Sequence, residues 1–212
     1  MLNAISKLVL FVCFPCAICV GTWAIADYSN RPCDQGTPSL TLDANQNSAD
    51  LLAGLKDVAQ SELRRTDSKK LLVFYHPHCP CTAASLRNLQ RINSLLVSER
   101  KLFAFAFHPK DEPVTWIESP TTKLLREIPN ITIIPDREAI ACQAFGLSTS
   151  GHMLVYDEAQ RLIFSGGITP GRGHEGDCQS SFDLRQKING EKSTLDYWPV
   201  YGCSIVESEE KQ

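Results

Sequence analysis

The chain carries no run of basic residues and no excess of positive charge: 21 Lys and Arg stand against 24 Asp and Glu, a net −3 at pH 7. That balance argues against nucleic acid as the main partner. Glycine and proline, 12 of each, fall short of a collagen-like or proline-rich composition, and no internal repeat or low-complexity block interrupts the sequence. Disorder is excluded from the other side, because 43% hydrophobic residues is ample for a packed core. At 212 residues the chain supports one full domain with an appendage and is too short for two large ones.

Charge is also missing near the start. Lys7 is the only charged residue among the first 26, and Leu8 to Ala26 is an uncharged apolar run of 19 residues. As a helix this run is about 28 Å long, just enough to span a bilayer. Lys7 on one flank, with Asp27 and Asp34 beyond the other, orients the rest of the chain outward. Two readings of the segment stay open. Ala24-Ile25-Ala26 has the form of a signal-peptide cleavage site. Against cleavage, no polar stretch precedes that site, and Trp23 sits where an interfacial aromatic sits in an uncleaved anchor. Both readings deliver residues 27–212 to the same compartment.

Nine cysteines divide accordingly. Cys13, Cys16 and Cys19 fall inside the apolar run, on one helix face, where a small weakly polar side chain packs easily. Cys33, Cys79, Cys81, Cys142, Cys178 and Cys203 remain for an oxidising compartment, and sequence does not choose among their 15 full pairings.

The rest of the chain reads as a polar tether (27–48), an α/β domain (49–205) and an acidic tail (206–212). A helix is expected over 49–65. Leu71 to Tyr75 and Leu102 to Phe107 are continuous apolar runs of strand length, as in strands buried on both faces. Between them Leu86, Leu89, Ile92 and Leu96 recur at helical spacing, predicting an amphipathic helix of about five turns. Prolines 109, 113 and 120 break the next stretch into loop, followed by a helix over 121–127 and a third strand over 131–134. Asp136 is placed to cap a short helix ending near Phe145-Gly146. Residues 152–156 and 161–165 form a hairpin, and a last helix over 180–188 stops at Asn189-Gly190. This order matches one mixed α/β sheet with helices on both faces.

Cys79-Pro80-Cys81 lies between the first buried strand and the amphipathic helix, where α/β folds present reactive groups. Proline suits the first helical position, so Cys79 takes the N-cap. A thiolate there meets unpaired backbone N–H groups and the positive end of the helix dipole, which lowers its pKa. A disulfide across one residue is strained and therefore easily reduced. His76 and His78 flank the pair, so Cys79, Cys81, His76 and His78 form an alternative ligand set for copper(I) or zinc.

The stretches FYHPHCPCTAASLRNL and PDREAIACQAFGLSTSGHMLVYDEAQRLIFSGGITPGRGHEGD resemble the thioredoxin-like superfamily and, within it, the bacterial envelope redoxins labelled RedB-like. The similarity covers about residues 71–203. It implies a thioredoxin-like fold, with Cys79 as attacking thiol, Cys81 as its partner, and no organic cofactor. The resemblance also implies protein thiols or disulfides as substrates and a separate redox partner protein. The apolar N-terminal segment leads us to expect a monomer anchored at the inner membrane with its domain on the periplasmic side. The sequence departs from the superfamily in two places. Thr82 stands where a C-x-x-C motif has its second cysteine, and Gly151 stands where a cis-proline loop is expected. A copper(I)-carrying protein and a non-catalytic binding module of the same fold are the competing readings.

Gly171-Arg172-Gly173-His174-Glu175-Gly176 matches G-x-G-x-x-G, but it comes late, and Glu175 and Asp177 would repel a pyrophosphate. A loop that brings Arg172 or His174 toward Cys79, or a plain surface loop, accounts for it better. Cys142 sits among Ala139, Ile140 and Phe145 and reads as packing or a disulfide. Cys178 follows the glycine-rich loop. Cys203 is distant in sequence but available to resolve a mixed disulfide on Cys79.

Overall fold

The computed structural model describes residues 9–42, 63, 65–96, 99–191 and 197–206. Most of the helix expected over 49–65, and residues 207–212 of the acidic tail, lie outside the described residues. The apolar N-terminal run forms helix α1 (Phe14–Asn30), continued toward the N-terminus by a π-helical turn over Val9–Cys13. No side chain of α1 is buried, and Phe11–Asn30 is apolar enough and long enough to cross a membrane or to serve as a signal.

Five strands make one sheet in the order β3-β2-β1-β4-β5. The central strand β1 (Lys69–Tyr75) pairs in parallel with β2 (Arg100–His108), which pairs in parallel with β3 (Ile131–Arg137). On its other side β1 runs antiparallel to β4 (His152–Tyr156), which turns through Asp157–Gln160 into β5 (Leu162–Gly166). Alternation along β1 splits the core in two. Leu72 and Phe74 face one side with Phe103, Phe105, Phe145 and Tyr156. Leu71, Val73 and Tyr75 face the other side with Leu86, Leu89, Leu125 and Leu184. The rings of Phe74 and Phe105 stack at 4.8 Å.

That second side is covered by α2 (Pro80–Asn93), α3 (Pro120–Arg126) and α5 (Gln179–Asn189), while α4 (Ile140–Ala144) lies on the first. α2 stops at Asn93, about a turn earlier than the spacing predicts, because Ser94 and Leu95 already form a turn and Leu95 is exposed. β3 runs three residues further than expected, through Pro135; an edge strand tolerates a proline because one side of its ladder has no partner. Asp136 takes the capping role read from the sequence: its carboxylate accepts from the N–H groups of Ala141 (2.7 Å) and Cys142 (3.0 Å).

The stretch read as a tether is bound to the domain over residues 33–42. Cys33 N–H donates to Val200 O, Ser39 N–H to Phe145 O, and Leu42 N–H to Gln160 O. Thr41 forms an antiparallel bridge with Arg161 beside β5. A polar sequence without periodicity hides this, since most of these contacts run through backbone groups.

Candidate active site

The turn between β1 and α2 is built by its own residues. Cys79 N–H donates to His76 O at 3.0 Å, which closes the chain before the helix, and Pro80 starts the helix with φ already set. Cys79 is thereby the N-cap, as expected, with φ −84° and ψ 112°. It is 3% exposed. Cys81 and Cys203 beside it are half-buried.

Cys203 arrives from the far end of the chain. Residues 197–205 return along β5 and across the loop that enters β4. Trp198 N–H donates to Ser165 O, Gly167 N–H to Pro199 O, Ser150 N–H to Cys203 O (2.8 Å) and Ile205 N–H to Ser148 O. Thr149 and Ser204 form an antiparallel bridge. Gly202 passes so close to this loop that a Cβ on it would fall 1.8 Å from Ser150 O, so only glycine fits. The result is a sulfur–sulfur contact of 2.7 Å between Cys79 and Cys203. Among the described residues, Cys79, Cys81 and Cys203 form the one group of three metal-ligating side chains whose donor atoms lie within 4.8 Å of one another.

The cluster polarises Cys79. Its hydrogen-bond contact with Cys203 favours the Cys79 thiolate; burial opposes this, and the hydroxyl and backbone N–H of Thr82 reinforce it. The net effect holds Cys79 well below the ordinary thiol range. Cys203 is pushed up by the same hydrogen bond, then by burial, and Cys81 is pushed up by burial and by the charge on Cys79. The surroundings thus favour the thiolate on one thiol of the three and oppose it on the other two.

Thr82 belongs to a relay. His76 N–H donates to Ser150 Oγ (2.8 Å), and Ser150 Oγ lies 2.6 Å from Thr82 Oγ1. Each hydroxyl has one proton. With Thr82 donating to Cys79, Ser150 must donate to Thr82, so the dipoles align from a backbone amide to the sulfur. Gly151, with φ +88°, follows Ser150 directly and donates its N–H to Phe74 O at 2.8 Å.

The histidines of the sequence motif turn elsewhere. His76 stacks on Phe107 at 5.2 Å, and His78 meets the Trp116 ring edge-on at 4.4 Å and its carbonyl at 3.1 Å. The structure thus brings Cys79 and Cys81 together with Cys203 and places the imidazoles against aromatic rings. Burial lowers the pKa of His76, against the pull of the Cys79 charge.

Arg172, in the glycine-rich loop, donates to the Gly202 carbonyl and to Cys33 Sγ (2.6 Å), and Cys33 Sγ itself donates to Gly202 O at 2.9 Å. This loop clamps the returning segment; no helix opens on it until residue 179, so the dinucleotide arrangement is not formed. His174 stays exposed and bonds Arg172 O. Cys142 is fully buried on Leu147 O, its thiol pushed up to about 12 by burial, and Cys178 caps α5 in a reciprocal box with Ser181. Sequence reasoning missed the Ser150–Thr82 relay and the Arg172–Cys33 clamp. Ser150 carried a signal only through its place before Gly151.

No family profile and no curated protein matches the sequence. By structure the chain is similar to a hypothetical protein from Sinorhizobium meliloti, with 17% identity over 85% of this chain and 98% of that one and a TM-score of 0.56. It is also similar to an uncharacterized conserved protein from Geobacillus kaustophilus, with 14% identity over 86% and 93% and a TM-score of 0.53. A secreted Mycobacterium tuberculosis disulfide oxidoreductase homologous to E. coli DsbE matches at 12% identity over 74% and 95%, with a TM-score of 0.43. The likeness to the first two shows the fold they share with this chain, a mixed five-stranded sheet with helices on both sides, here preceded by an apolar helix.

Proposed function

We propose that the protein is an exported thiol-disulfide oxidoreductase of RedB-like type, tethered to the inner membrane by α1 with its domain on the periplasmic side. The observation that carries this reading is a nearly buried N-cap thiol whose thiolate is favoured by its neighbours, with two further cysteine sulfurs within 4.8 Å of it. Cys79 attacks a substrate disulfide, a mixed disulfide forms, and a second thiol of the cluster releases the reduced substrate. The Cys-Pro-Cys motif offers Cys81 for that second step. Protein thiols or disulfides are the substrates, a separate redox protein supplies or removes electrons, and no organic cofactor takes part. Cys79→Ala should abolish exchange with glutathione while leaving the thermal transition in place; an active Cys79→Ala variant refutes the assignment.

The convergence of three sulfurs favours a second reading, a copper(I) carrier on Cys79, Cys81 and Cys203. It expects the fully reduced protein to bind one copper(I) with proton release, and Cys203→Ala to weaken that binding. Absence of binding at micromolar copper(I) removes this reading.

A further inference from the structure

On the reading that Cys79 is a redox nucleophile, we infer that Cys203, and not Cys81, is the thiol that closes the disulfide with Cys79, so that the catalytic pair joins the N-cap of α2 to the returning C-terminal segment.

Three observations lead there. Cys79 and Cys203 are in direct contact at 2.7 Å, and that approach is set by backbone pairing: Cys203 O accepts from Ser150, and Ser204 bridges Thr149. Cys81 Sγ also lies within 4.8 Å of Cys79 Sγ, but with only Pro80 between them the two cysteines would close a small ring that resists the relaxed disulfide dihedral, a constraint that Cys203, arriving from a separate segment, does not share. The contact is also clamped from outside, because Arg172 and Cys33 both bond the carbonyl of Gly202, the residue before Cys203. A third thiol left over from the pair, Cys81, is half-buried and remains available for exchange with either partner.

The chemistry balances with two thiols and one substrate disulfide. The Cys79 thiolate attacks one sulfur of R–S–S–R′, the substrate S–S bond breaks, and R′–S⁻ leaves and is protonated by solvent. Cys203 then loses its proton and attacks Cys79 Sγ. The Cys79–Cys203 bond forms, R–S⁻ leaves, and the substrate has gained the two electrons that the pair has lost. A dithiol protein or glutathione returns them.

The experiment uses the full chain in detergent or membranes, equilibrated in glutathione buffers, alkylated, digested without reduction and mapped by mass spectrometry. The expected result in the unaltered protein is a cross-link between the peptides carrying Cys79 and Cys203. Cys81→Ser should retain it. Cys203→Ser should accumulate Cys79 as its glutathione mixed disulfide, with release slowed about tenfold or more because an intramolecular thiol has been lost. A Cys79–Cys81 link in the unaltered protein, or cycling that survives Cys203→Ser and fails in Cys81→Ser, overturns the inference and leaves the oxidoreductase reading standing. A Cys79 that forms no disulfide with glutathione or with any cysteine of the chain overturns both. The mapping of the unaltered protein needs no variant to fold, so the test stands even where Cys203→Ser is unstable.

Discussion

Replacing Thr82 by valine removes one hydroxyl and little else. The side chain is fully buried, valine has nearly the same shape, and the backbone N–H at this position is unaffected. What is lost is the last link of the chain from His76 N–H through Ser150 to Cys79. A hydrogen bond to a charged group contributes about 1.5–3 kcal/mol, and one pKa unit corresponds to about 1.4 kcal/mol. The Cys79 pKa should therefore rise by about one to two units. It should stay below the ordinary thiol value, because the Cys203 thiol, the larger cause, remains. The assay is the rate of iodoacetamide labelling of Cys79 against pH, read by peptide mass spectrometry so that the other eight cysteines do not interfere. Ser150→Ala breaks the relay one link further back and should shift the midpoint the same way by less. An unchanged midpoint in Thr82→Val refutes the relay, and a downward shift in Ser150→Ala refutes its direction.

Gly202→Ala places a methyl against the Ser150 carbonyl and should displace residues 202–204, costing about 1–3 kcal/mol in stability; Cys79 should then label faster with bulky reagents, and unchanged labelling and stability would contradict the described close approach. Burial keeps His152 neutral, with a pKa lowered from 6.5 to about 3. Below 6.5 the unfolded chain binds a proton that the fold refuses, so this contribution is complete above 6.5 and is lost as pH falls toward 3. The stability of the protein relative to His152→Gln should rise by up to ~1.4 kcal/mol per unit between pH 4 and 6, and a constant difference in urea titrations refutes it. Asp136 runs the other way: burial lifts it from 3.8 to about 6, so its contribution is complete below 3.8 and is lost as pH rises through 6, and the difference from Asp136→Asn should fall over the same window.

Most of the fold was legible because it depends on local pattern. The apolar runs at 71–75 and 102–107 became central strands, the 3–4 spacing from Leu86 to Ile92 became the buried face of α2, and Pro80 marked the helix start that makes Cys79 an N-cap. Contacts made by backbone groups across long separations were not legible. Cys203 reaches Cys79 across 124 residues through backbone pairing, whose trace in the sequence is the glycines at 166, 167 and 202, each of which lies where a Cβ would strike backbone. Residues 33–42 adhere to the domain in the same way. Thr82 was read as a missing cysteine, and its hydroxyl became visible as a donor only once Ser150 was beside it.

The two departures from the thioredoxin pattern belong to one arrangement. A proline at 151 has no N–H and a φ near −65°, whereas this chain uses the Gly151 N–H to bond Phe74 O at a φ of +88°. That bond fastens the loop to β1 from the inside, and Ser150 N–H, one residue earlier, bonds the carbonyl of Cys203. The loop thus holds the central strand with one amide and the C-terminal segment with the next. Ser150 also supplies the hydroxyl that reaches Thr82. With no second cysteine at position 82, a threonine there donates to Cys79, while the thiol in contact with Cys79 comes from the segment that the loop holds. Gly151, Thr82, Gly202 and Cys203 are consequently coupled. Gly151→Ala, whose Cβ would meet Ser85 and the Thr82 hydroxyl, should weaken the Ser150–Cys203 pairing and raise the Cys79 pKa together; a variant in which only one of the two changes would show that the loop holds them independently.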